Sequence, residues 1–143
     1  MILPDVNVLI YAHDTAAPQH AAYRIWLLDM VRGSATYGLS DLVLSGFLRI
    51  VTHPRILRTP LSSGAALGIA QDLRQRQNCF IVKPGERHWH IFGNLCQHVK
   101  ATANSVPDAY FAALAIESGC EWITADKGFA RFPGLKWRNP LDI

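Results

Sequence analysis

Apolar positions fall in short blocks separated by polar runs, and the spacing inside the blocks alternates between strand and helix periods. Residues 1–5 (MILPD) read as a short buried strand, with Pro4 suited to its end or to an edge position. From about His20 to Arg32, Ala21, Ile25, Leu28 and Val31 recur at helical spacing, and Gly33 stops the helix. Residues 36–39 form a second short strand. Ser40 or Asp41 then caps a helix running to about Thr52, where His53-Pro54 ends it. Ser62 or Ser63 caps the helix GAALGIAQDLRQRQ, residues 79–84 (CFIVKP) are an apolar strand closed by a turn, and residues 86–102 are helical. Pro107 opens a helix over 108–118 that Gly119 terminates. Residues 121–125 (EWITA) are a buried strand, and a short helix and strand follow. Strands separated by helices need crossover connections, so the pattern predicts an α/β fold of three layers with a central, mostly parallel sheet.

The 143 residues are half apolar, enough for one cored unit over residues 1–143 and too apolar for a disordered or fibrous chain. No apolar run reaches the ~18 residues of a membrane span. The opening MILPDVNVLIYAHD is short, carries Asp5 and lacks a basic leader, so it is not read as a signal peptide. Cys79, Cys96 and Cys120 are odd in number and widely spaced, which fits buried thiols in a reducing, cytoplasmic setting better than a disulfide or zinc framework. The tryptophans Trp26, Trp89, Trp122 and Trp137 are read as core residues. His88 and His90 point apart on a helix and are not read as ligands.

A net charge of +3 says little alone, but its distribution does. No carboxylate lies between Asp41 and Asp72, between Arg87 and Pro107, or between Asp126 and Asp142, while each stretch carries cations. Three basic stretches around isolated aspartates suggest a surface facing a polyanion.

In open α/β sheets ligands bind beyond the carboxyl ends of the strands. Asp5 ends the first strand, Asp126 follows EWITA, and Asp108 lies in the first turn of a helix. Each also has a plain structural role open to it: helix cap, turn residue, or partner of a helix dipole. Brought together, the three would repel one another and take up protons unless a cation neutralised them. Hard divalent ions prefer such oxygen ligands.

These residues sit in segments that resemble the PIN-domain ribonucleases, specifically the VapC toxins of bacterial toxin–antitoxin pairs. The resemblance spans PDVNVLIYAHD, LSDLVLSGFLRIVTHPRI and VPDAYFAALAIESGCEWITADKGFARFPGLKWRNPL. It implies an α/β/α PIN fold and endonucleolytic, Mg2+-dependent hydrolysis of RNA, with Mn2+ as a possible substitute, leaving a 5′-phosphate and a 3′-hydroxyl. Asp5, Asp108 and Asp126 match the family's acidic metal-site positions, Asn7 the polar residue after the first aspartate, and Thr124 the hydroxyl before the last. Arg49 and Lys127 are candidates for RNA-backbone contact. A VapB-type antitoxin, whose C-terminal segment covers the active groove, is the implied partner, and a homodimer the implied assembly.

One departure stands out. Where the family usually carries a glutamate in the third helix, this chain has Gly46. Asp41 is five residues earlier and points about 140° away, so it is no replacement. That leaves a three-aspartate site or, alternatively, a catalytically weak RNA- or antitoxin-binding module. An aspartyl-nucleophile phosphatase or receiver domain fits less well, because Asn7 stands where those phosphatases need a second aspartate.

Overall fold

A computed structural model describes residues 1–142. Five parallel strands form one sheet in the order β3-β2-β1-β4-β5, comprising β1 (Ile2–Pro4), β2 (Tyr37–Leu39), β3 (Cys79–Ile81), β4 (Glu121–Ile123) and β5 (Trp137–Arg138). Six helices flank it: α1 (Val6–His13), α2 (His20–Arg32), α3 (Asp41–Val51), α4 (Ser63–Gln75), α5 (His88–Val99) and α6 (Ser105–Ser118). A 3₁₀ helix, Lys127–Arg131, joins β4 to β5. The expected α/β/α architecture with a parallel sheet is therefore present. Among the described residues, no helix is long and apolar enough to cross a membrane.

Register is the feature that matters for function. Ile2, Leu3 and Pro4 pair with Glu121, Trp122 and Ile123, so β1 and β4 end side by side. The Asp5 amide donates to the Ile123 carbonyl at 2.8 Å, which extends the ladder by one bond before both chains leave the sheet. Asp5 and Thr124 are thereby set next to each other, although they are 119 residues apart.

The core lies between sheet and helices, with Leu3, Tyr37, Phe47, Leu114 and Trp122 fully or almost fully buried. Trp122 is stacked on Phe111 at 5.3 Å and tilted against Phe129 at 5.5 Å, tying α6 and the 3₁₀ helix to β4. The Tyr37 hydroxyl, buried at the same sheet, donates to the Leu73 carbonyl of α4 at 2.7 Å.

Several sequence expectations need correction. In α2 the buried face is Tyr23, Leu27 and Val31, while Ile25 is 62% exposed and Ala21 is also exposed. Two apolar stripes compete in that helix, and packing of Tyr23 against Tyr11 of α1, with ring centroids 5.2 Å apart, selects the other one. Trp89 is not core: it is 75% exposed in the first turn of α5. Trp26 and Trp137 are only partly buried at the core's edge. Of the cysteines, Cys120 is buried, while Cys79 and Cys96 are partly exposed. Finally, α6 begins at Ser105, three residues before the expected start. Pro107 is tolerated as the third helical residue because amides of the first turn have no helical partner to lose.

Candidate functional site

The junction between β1 and α1 builds the centre of the site. Asp5 is the N-cap of α1, in extended backbone, and its Oδ1 accepts from the Val6 amide at 2.6 Å. Its Oδ2 accepts from the Thr124 hydroxyl at 2.7 Å and from the Asn7 amide group at 3.3 Å. Asn7 also donates to Thr124 Oγ1 at 3.1 Å and accepts from the Ala125 amide at 3.2 Å. Thr124, wholly buried, accepts in addition from the Asp126 amide at 3.0 Å. A closed polar network thus locks the end of β1 to the end of β4, which fixes the orientation of the Asp5 carboxyl.

The other two aspartates approach from different elements. Asp108 lies in the first turn of α6, where the helix dipole favours an anion. Asp126 caps the 3₁₀ helix, accepting from the Gly128 amide at 2.8 Å. The plain structural roles therefore coexist with convergence. Asp5, Asp108 and Asp126 line one cleft of about 480 Å³, together with Asn7, Gly46, Arg49 and Phe111.

Charge crowding in that cleft shows in the acids themselves. Asp5 is only 7% exposed, and burial pushes its carboxyl up from 3.8 to about 6. Hydrogen bonds from Thr124 and Val6 pull it down, and the charges of Asp108 and Asp126 push it up further. The Asp108 carboxyl is raised too, first by burial and then by Asp126, against the opposing pull of Arg131. Burial leads both shifts and neighbouring carboxylates add to them, a burden that a hard cation would relieve. The donor set is entirely oxygen and so suits such a cation.

As they stand, no three ligating side chains among the described residues are drawn into an ion-holding cluster. Asp108 Oδ2 accepts instead from Arg131 Nη2 at 2.9 Å, and Asp126 Oδ1 from the Gly128 amide.

The supporting residues divide. Arg49 of α3 lines the cleft, whereas Lys127 is exposed at the start of the 3₁₀ helix and does not line it. Asp41 is turned away and forms a two-bond pair with Arg74 of α4, at 2.9 and 3.3 Å. His88 is buried against the Tyr110 carbonyl, and His90 contacts Asn94. At Gly46 a Cβ would stand 3.1 Å from Val6 Cγ2, so α1 and α3 approach too closely for a side chain to be added without adjustment. Arg131 is the site residue that the sequence did not single out; its place in DKGFAR, just past Asp126 in a basic stretch, was the available signal.

A family model described as PIN domain matches residues 2–135. The chain belongs to the PIN-domain family. This PIN domain is 42% identical over 142 residues to ribonuclease VapC43 of Mycobacterium tuberculosis, covering 99% of this chain and 97% of that one. It is 37% identical to ribonuclease VapC33 of the same organism, covering 99% of each. Among solved structures, VapBC-1 from nontypeable Haemophilus influenzae matches with a TM-score of 0.70 at 19% identity, over 99% of this chain and 100% of that one. VapBC2 from Rickettsia felis, bound to a DNA fragment from its promoter, matches with a TM-score of 0.66 at 19% identity, over 97% and 98%. The identities to VapC43 and VapC33 place this PIN domain among the VapC proteins; the structural likenesses carry the fold.

Proposed function

We propose that this chain is the toxin of a VapBC-type toxin–antitoxin pair and acts as a metal-dependent endoribonuclease. Two things support the reading: its identity to named VapC ribonucleases, and the cleft shared by Asp5, Asp108 and Asp126 at the carboxyl ends of β1 and β4. Residues 1–143 act as one PIN unit in this account. The ion is Mg2+, with Mn2+ as a substitute, held by Asp5 and Asp108 with Asp126 completing the set directly or through water. When bound, a hard divalent ion neutralises a phosphodiester's charge, polarises it and makes a bound water more acidic.

The chain's own residues supply orientation. Thr124 and Asn7 hold the Asp5 carboxyl in one rotamer, so its outward lone pairs face the cleft without reorganisation. Asp5 itself is buried, which strengthens its electrostatic contacts, while Asp126 and Arg49 lie exposed at the mouth of the cleft. Arg49, at the cleft wall, is placed to bind a backbone phosphate, and Lys127 offers a weaker outer contact. Single-stranded or looped RNA is the substrate class, because its unstacked bases can be splayed out near an aromatic such as Phe111. A VapB-type antitoxin is the protein partner, and the cytoplasm the compartment.

Gly46 favours a second reading, a weakly catalytic module that binds RNA or antitoxin, since α3 contributes no carboxylate. Cleavage of total tRNA and rRNA, with Mg2+ and with EDTA, separates the two. The nuclease reading expects Mg2+-dependent fragments that are lost in Asp108→Asn while its melting curve stays cooperative. Equal cleavage by Asp108→Asn, or none by the wild-type chain, would refute it.

A further inference from the structure

Arg131 closes the 3₁₀ helix, and its guanidinium folds back over the acids of the cleft. Nη2 donates to Asp108 Oδ2 at 2.9 Å, and Nη1 donates to the Gly128 carbonyl at 2.8 Å. Its Cζ lies over the Phe132 ring, 4.7 Å from the ring centre. At Gly128 a Cβ would stand 2.6 Å from Arg131 Nη1 and 2.9 Å from Asp126 Oδ1. Both groups therefore border the small space left by the missing side chain. A cation carried by the protein thus sits between Asp108 and the Asp126 turn.

Two features distinguish this arrangement from an ordinary surface ion pair. The guanidinium has five N–H donors, and only two are spent on the contacts above. Its side chain is also 35% exposed, so a ligand can reach it from solvent. A planar fork with unspent donors matches a phosphate's oxygens far better than a lysine ammonium does.

We propose that Arg131 is a substrate-positioning residue that alternates between two anions. Without RNA it holds Asp108 and competes with the divalent ion for that carboxylate; with RNA its fork turns to a non-bridging oxygen of the substrate backbone, freeing Asp108. The proposal rests on the ribonuclease reading above. No covalent change is involved, only exchange of hydrogen-bond acceptors. Gly128 leaves the observed position of the fork unobstructed, since a Cβ there would stand 2.6 Å from Arg131 Nη1.

The test uses the full chain as wild type, Arg131→Gln and Arg131→Lys, each first checked for a native circular-dichroism spectrum and melt. Mn2+ titration calorimetry without RNA should show severalfold tighter binding in Arg131→Gln, whose competitor for Asp108 is gone, and little change in Arg131→Lys. Binding of a single-stranded oligonucleotide in Ca2+, read by fluorescence anisotropy, should weaken about 10- to 100-fold in Arg131→Gln, as expected for loss of a charge-assisted contact. It should also weaken in Arg131→Lys, which keeps the charge and lacks the fork. In cleavage assays the loss should fall mainly on KM. Unchanged or weaker Mn2+ binding in Arg131→Gln overturns the competition, and unchanged oligonucleotide affinity overturns the phosphate contact. A wild-type chain that neither binds nor cuts RNA would instead remove the ribonuclease reading itself, and the Mn2+ titration would still judge the hold on Asp108.

Discussion

Replacing Asp5 by asparagine should stabilise the metal-free protein at neutral pH. The Asp5 carboxyl is raised from 3.8 to about 6 in the fold, chiefly by burial. A group whose folded pKa exceeds its unfolded one favours the fold at low pH, and that advantage is lost as pH climbs through the folded value. This contribution to the stability of metal-free wild type should therefore fall between about pH 4 and pH 6 and level off once pH is well above about 6. The size follows from the shift, which corresponds to about 3 kcal/mol at full ionisation. Asparagine keeps an oxygen for the Val6 amide and a volume close to aspartate's, while Thr124 must reverse its hydroxyl and the Asn7 amide loses an acceptor, at a combined cost of about 2 kcal/mol. A net gain of about 1 kcal/mol at pH 8 in EDTA corresponds to about 2 to 4 °C in melting temperature for a chain of this size. Thermal melts from pH 4 to pH 8, with EDTA and with Mn2+, read it directly. Mn2+ should restore wild-type stability above pH 6 and do little for Asp5→Asn. A flat pH profile in EDTA, or an Asp5→Asn variant less stable than wild type at pH 8, would refute the claim that uncompensated charge is stored in this cleft.

Thr124→Val removes a fully buried hydroxyl that donates to Asp5 and accepts from the Asp126 amide, so urea unfolding should show a loss of about 1 to 3 kcal/mol. Because that hydrogen bond lowers the Asp5 pKa, the pH above which Mn2+ binds should also move upward in this variant. Asp41→Asn breaks only an exposed pair with Arg74, and should cost less than about 1 kcal/mol and leave RNA cleavage unchanged. Gly46→Glu should destabilise by about 1 to 3 kcal/mol through its contact with Val6, and combining it with Val6→Ala should recover most of that loss in chemical denaturation.

Much of this site could be read along the chain because its determinants are local. Asp5 directly follows an apolar strand and Asp126 lies just beyond another, so a parallel sheet had to bring the two to one edge. Asp108 needed only a helix start. What escaped depends on contacts between distant segments. The α2 stripe was misread because only the Tyr11–Tyr23 contact decides between two apolar faces. Residue type alone points Trp89 to the core, but α5 packs against α6 on a face that leaves it in solvent. Arg131 escaped because a turn that folds a side chain back over an acid 23 residues earlier has no period to detect. The close approach of Gly46 to Val6 is likewise visible only once α1 and α3 are docked.

The central claim is that three aspartates from separate elements share one hard cation. An anomalous difference map from crystals soaked in Mn2+ tests it most directly. The account predicts a peak in the cleft about 2.2 Å from carboxylate oxygens of Asp5 and Asp108, with Asp126 within reach directly or through water. Strong density elsewhere on the molecule and none between these three side chains would contradict it.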